Sequence, residues 1–155
     1  MIETTEHARR DADMTMKVLL PVDGSVFSGR VVDYVIKVRK THGSMDVHVL
    51  NVQIPIASGH ARMFATQVEI DDYHREEGMK VLEATLKRLH DEGIPCTYHV
   101  LVGHAAETIV RFAEEHNFDK VVMGTHGRSG LTQLLLGSVA EDVLKKAKIP
   151  VVLVK

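Results

Sequence analysis

From Met16 onward, short apolar runs alternate with longer stretches whose apolar residues recur at helical spacing. The runs lie at residues 17–22 (KVLLPV), 47–52, 97–102, 120–123 and 150–154, and valine dominates them. Near-continuous β-branched segments of this length suit strands buried on both faces of a parallel sheet. Between them, Phe27, Val31, Tyr34, Val35 and Val38 mark one helix, which ends near Gly43. Leu82, Thr85, Leu86 and Leu89 mark a second, stopped at Gly93 before Pro95. Ile109, Phe112, Ala113 and His116 mark a third; Val139, Val143, Leu144 and Ala147 mark a fourth, which stops before Pro150. Glycine just past a helix, with proline soon after, is the expected stop. The order β-α-β-α-β-α-β-α-β predicts an α/β domain. Its core is a doubly wound five-stranded parallel sheet with helices on both faces and right-handed crossovers.

Two connections break the rhythm. Residues 54–68 have no clear period, and links of that length are lids or plain loops. Ser58-Gly59 would give such a link flexibility, and Met63 and Phe64 could cover a ligand, tuck against the second helix or be buried in a dimer contact. Residues 124–137 (GTHGRSGLTQLLLG) carry four glycines between the fourth strand and the last helix.

Composition narrows the class. The chain has 155 residues, enough for one core, and 45% are hydrophobic. Nineteen basic residues against 21 acidic leave a formal charge of −2. That balance argues against a protein built to coat nucleic acid or anionic lipid. No apolar run approaches the roughly 20 residues of a membrane helix. Cys96 is the single cysteine, so no intrachain disulfide forms, and a reducing compartment, the cytoplasm, is expected. Residues 1–15 read as a solvated, mobile lead-in to a domain spanning 16–155.

Ligands of open α/β sheets bind beyond the carboxyl ends of strands, where strand order reverses. Two such ends carry unusual residues: Pro21-Val22-Asp23-Gly24-Ser25 after the first strand, and Met123-Gly124-Thr125-His126-Gly127 after the fourth. Glycines there let backbone N–H groups curl around an anion. Gly137-Ser138 opens the last helix, whose N-terminus offers unpaired donors to phosphate, and Arg128 adds a guanidinium. Ser138 and Glu141 also spell a capping box that needs no ligand, and isolated glycines are more often mere turn residues. The loop is not a Walker A motif, because no lysine follows its glycine, and the first strand lacks the G-x-G-x-x-G of dinucleotide folds.

The spacing Gly124-x2-Gly127-x9-Gly137-Ser138 resembles the nucleotide motif of the ATP-binding branch of the universal stress protein family. The resemblance spans residues 16–155. It includes VLLPVDGS (18–25), VVMGTHGRSG (121–130), LLLGSVAEDVLKKA (134–147) and the closing PVVLVK. It implies that Asp23 lies near ribose and base, with Pro21 and Val22 beside it. It further implies that Val52 reads adenine through its backbone and that Met123 packs near the base. Gly124, Gly127, Gly137, Ser138 and Val139 would wrap the phosphates, with Thr125, His126 and Arg128 in the same loop. The implied ligand is ATP, or ADP or AMP, with Mg2+ held mainly by the phosphates. A carboxylate such as Asp23 accepts ribose hydroxyls yet repels a triphosphate, so it belongs at the nucleoside end. For the two strand ends to share one site, strands one and four must be neighbours, which selects strand order 3-2-1-4-5.

Three functions follow as alternatives: a nucleotide-dependent regulatory stress-response module with an unknown regulatory partner, a slow ATPase or phosphoryl-transfer enzyme, and an interaction protein with a vestigial pocket. Phosphoryl transfer needs a residue that positions the nucleophile, and His126 is the sole candidate. The other histidines read as ordinary: His7, His42, His60, His74, His90 and His116 on loops and helix surfaces, His48 and His99 within strands, and His104 opening a helix. The last strand, Pro150 to Lys155, is expected at a sheet edge, and the resemblance implies a homodimer through it.

Overall fold

The computed structural model of the chain describes residues 15–56, 59, 63, 65–127 and 136–155. Five strands form one parallel sheet: β1 (Met16–Pro21), β2 (Met45–Gln53), β3 (Cys96–Val102), β4 (Lys120–Gly124) and β5 (Val151–Val154). Their spatial order is β3-β2-β1-β4-β5, as the shared strand ends required. Among the described residues, the helices between them are α1 (Val26–His42), α2 (Gln67–Asp91), α3 (Ala105–Glu115) and α4 (Ser138–Lys146). Strand bounds differ from the apolar runs by a residue or two, because polar end residues such as Gln53 still pair in the ladder, here with Val102.

Alternation along the strands divides the core in two. Val18, Leu20, Val47, Val49 and Val122 face α1 and α2, packing with Val31, Val35, Leu82 and Leu89. Leu19, Leu50, Val121 and Met123 face α3 and α4, packing with Ile109, Phe112, Ala113 and Val143. A strand buried on both faces cannot show period-two polarity, which is why these segments read as continuous apolar runs. Leu19 and Leu20 are both fully buried, on opposite faces. Truncating either to alanine costs about 2–5 kcal/mol.

Helix ends follow local chemistry. Gly43 closes α1 at φ +90°, and Gly93 follows α2 at φ +65°, conformations that glycine adopts without strain. The second helix is longer than its apolar marks imply and begins inside the supposed link. Thr66 caps it: the Thr66 hydroxyl accepts from the Glu69 N–H, and the Glu69 carboxylate accepts from the Thr66 N–H at 2.7 Å. That reciprocal pair is a capping box, and it holds the Glu69 carboxyl below the usual carboxylate range. The capping box expected at Ser138 and Glu141 does not form. Gly137 takes the N-cap position, so Ser138 is already the first helical residue and Glu141 pairs with Lys145 instead. His74 is another departure, since it lies buried in α2 rather than on its surface. Of the 54–68 segment, Ile54 and Met63 are exposed, while Ser58 and Phe64 lie outside the described residues.

Candidate functional site

Strand order reverses between β1 and β4, because the chain leaves β1 toward β2 on one side and fills β4 and β5 on the other. Beyond the carboxyl ends of β1, β2 and β4 lies a cavity of about 310 Å³, within the usual range for small-molecule sites. Its walls come from every layer. Pro21, Val22 and Asp23 extend β1; Leu50, Asn51 and Val52 end β2; Met123, Gly124, His126 and Gly127 continue β4. Ser25, Phe27 and Ser28 come from the start of α1, and Ala105 and Ile109 from α3. Gly137, Ser138, Val139 and Ala140 form the start of α4.

The Asp23 corner is built by local hydrogen bonds. Asp23 Oδ1 accepts from the Ser25 N–H and from the Ser28 hydroxyl, each at 3.0 Å. The Asp23 N–H donates back to Ser28 Oγ at 3.1 Å. An Asp side chain bonding two residues onward is the Asx turn that Asp-Gly sequences favour. It fixes the carboxylate at the cavity wall and starts α1 in the same step.

The glycines allow close approach within the protein itself. A Cβ on Gly124 would come within 2.5 Å of Phe27 Cβ, and one on Gly137 within 3.0 Å of the Thr125 carbonyl oxygen. Gly127 lies against the Asp23 carboxylate. The loop's two ends are sewn together, since the Gly137 N–H donates to the Thr125 carbonyl at 2.8 Å. The Thr125 N–H donates to Val154 O on β5 at 3.0 Å. His126 lies at the wall, its ring 5.1 Å from that of Phe27 and its Nδ1 3.0 Å from Thr125 Oγ1.

Eleven of the thirteen residues expected at the site line this cavity: Pro21, Val22, Asp23, Val52, Met123, Gly124, His126, Gly127, Gly137, Ser138 and Val139. Thr125 does not. It is 6% exposed and spends its backbone bonds tying the loop to β5 and α4, so it shapes the site from behind. Arg128 lies outside the described residues. Lys145 and Lys146 are engaged elsewhere, with Glu141 and Glu107. The Lys146 ammonium ties α4 to α3 and, through its hydrogen bond, holds the Glu107 carboxyl below its ordinary range.

Asn51 was missed. It is 3% exposed, donates from Nδ2 to the Val22 carbonyl at 2.9 Å and accepts from Gln53 Nε2 at 2.6 Å. An amide donates two hydrogens, and only one is used by Val22. The signal was present, since Asn51 is a polar residue between Leu50 and Val52 in an otherwise apolar run. Among the described residues, no group of three or more His, Cys, Asp or Glu side chains is placed to hold a metal ion. No helix among them is long and apolar enough to cross a membrane.

Known proteins share this fold. The family model described as "Universal stress protein family" matches residues 14–155. Universal stress protein MJ0531 of Methanocaldococcus jannaschii is 34% identical over 149 residues, covering 95% of this chain and 86% of its own. The structure of MJ0577 from the same organism superposes with a TM-score of 0.77 at 33% identity, covering 92% of this chain and 96% of that one. A universal stress protein from Archaeoglobus fulgidus, solved in complex with dAMP, gives a TM-score of 0.65 at 26% identity, covering 92% and 99%. A match to the family model across nearly the whole chain, on the same sheet order, leaves one conclusion: the chain belongs to the universal stress protein family.

Proposed function

We propose that this protein binds an adenine nucleotide, with ATP as the ligand, and acts as a regulatory stress-response module. The observation that carries the reading is the single cavity wall in which Asp23, Gly127 and the Gly137-Ser138 start of α4 meet. The nucleoside end lies toward Asp23, Asn51 and Val52, between apolar Leu50, Ile109 and Met123. The phosphates run to the glycine loop and the N-terminus of α4, where unpaired N–H donors and the helix dipole favour anions. Close packing at Gly124 and Gly137 fixes the two ends of that loop against α1 and Thr125. Mg2+ would travel with the phosphates. The dAMP complex of the Archaeoglobus relative supports the adenylate class.

Acid release of the ligand from freshly purified protein, followed by mass identification and titration calorimetry with Mg-ATP, ADP and AMP, tests the proposal. Copurified ATP, or ATP binding tighter than AMP, is the expected result. Absence of binding by all three overturns it. Recovery of ADP alone, with turnover of added ATP, would instead favour a slow ATPase.

A further inference from the structure

Two residues before Leu50, on the same face of β2, His48 meets His99 of β3. His48 Nδ1 and His99 Nε2 lie 2.9 Å apart, and the rings are parallel with centroids 5.2 Å apart. The other ring nitrogen of His48, Nε2, is 3.1 Å from Asp46 Oδ1, and the His48 side chain is only 13% exposed. Phe118 meets His48 edge-on at 4.9 Å, and Phe112 of α3 packs on His99 at 4.8 Å.

The proton count follows from this geometry. One of the two facing nitrogens carries the hydrogen and the other accepts it, whichever tautomers the rings adopt. One added proton is tolerated, because the donating ring can take it on its outer nitrogen and still donate. A second places hydrogens on both facing nitrogens at a separation of 2.9 Å, and the bond is lost. The surrounding charges do little to absorb it. Lys17 of β1 holds its ammonium 4.5 Å above the Phe118 ring and donates to the His116 carbonyl. Asp119 is engaged with the Lys17 N–H. His116 of α3 packs on Phe112 at 4.2 Å and brings a third imidazole. Among the described residues, Asp46 is the one carboxylate in contact with the pair.

We infer that His48 and His99 form a clasp that tolerates one added proton, fastening edge strand β3 and helix α3 to the sheet, and that a second proton opens it. Consistent with this, burial holds His99 below its ordinary range, helped by His48, His116 and Lys17. A histidine lowered in the folded state binds fewer protons folded than unfolded. Its stabilisation is therefore complete above the unfolded value of about 6.5 and is lost as pH falls from there through the lower folded value. The clasp is independent of whether the cavity takes a nucleotide.

The full chain is followed from pH 8 to pH 5 in two ways: imidazole carbon-bound proton resonances by NMR, and urea unfolding of wild type and His99→Gln. The expected titration is two coupled steps, the second arriving together with faster exchange of β3 amides. Below about pH 6 the wild-type folding constant should fall by up to about tenfold per pH unit more than that of His99→Gln. Two independent protonations with β3 exchange unchanged would overturn the clasp, as would equal pH slopes for the two proteins. Should His99→Gln fail to fold, the wild-type titration alone decides.

Discussion

Gly127 faces Asp23 across the cavity wall, so closely that a Cβ on Gly127 would stand 2.7 Å from Asp23 Oδ2. The two residues are 104 positions apart, on the loops that follow β4 and β1. The obstacle is the end of a rotatable side chain, so Gly127→Val should leave the domain folded while it displaces the carboxylate and crowds the phosphate path. Mg-ATP affinity by calorimetry should fall at least tenfold, with a near-unchanged urea midpoint. Gly124→Ala differs, because its Cβ would meet Phe27 Cβ, which cannot swing away. It should lose about 1–3 kcal/mol of stability in the same unfolding experiment.

The turn that Asp23 builds and the nucleotide contact proposed for it should be separable. Asp23→Asn keeps an acceptor oxygen for the Ser25 N–H and the Ser28 hydroxyl, so stability should stay within about 0.5 kcal/mol while nucleotide affinity drops. Asp23→Ala removes that acceptor from a buried hydroxyl and should cost about 1–3 kcal/mol as well. Equal stability for the two variants would show that the turn does not depend on this side chain.

Two helical glycines should respond in opposite directions. Gly29 lies within α1 where an added Cβ would meet nothing within 4 Å, so Gly29→Ala should stabilise by about 0.5–1 kcal/mol through helix propensity. Gly78 lies within α2, where a Cβ would come within 2.4 Å of Val100 Cγ1 on β3. There the same gain in propensity is outweighed by overpacking, and Gly78→Ala should destabilise by about 1–3 kcal/mol. Thermal or urea unfolding of the pair reads the sign directly.

The last strand should carry a homodimer. β5 pairs with β4 on one side only, and its four residues are each only half-buried despite being apolar. An edge of that kind gains from being covered. Light scattering should give twice the monomer mass at micromolar concentration, and Val152→Lys should return it to monomer. A monomer at high micromolar concentration counts against the contact at residues 150–155.

Local pattern carried much of this protein. Strand positions, helix stops at Gly43 and Gly93, and the glycine spacing after β4 depend on neighbours a few residues away, so they could be read from the chain. The capping box at Thr66 and Glu69 was legible too, four residues of local chemistry hidden in a segment with no apolar period. Even the strand order followed, once Asp23 and the glycine loop were required to share one site. Tertiary structure alone decided the rest. Asn51 is bonded to a carbonyl 29 residues earlier, His48 to an imidazole 51 residues later, and Gly127 is pressed on Asp23. Thr125, from the same loop as Gly127, was turned away from the cavity to hold β5. Side chains of the same type read alike along a strand, and what they do depends on which strand is placed beside them. Periodicity records which face is apolar, whereas a hydrogen bond between distant residues exists only after the sheet has assembled.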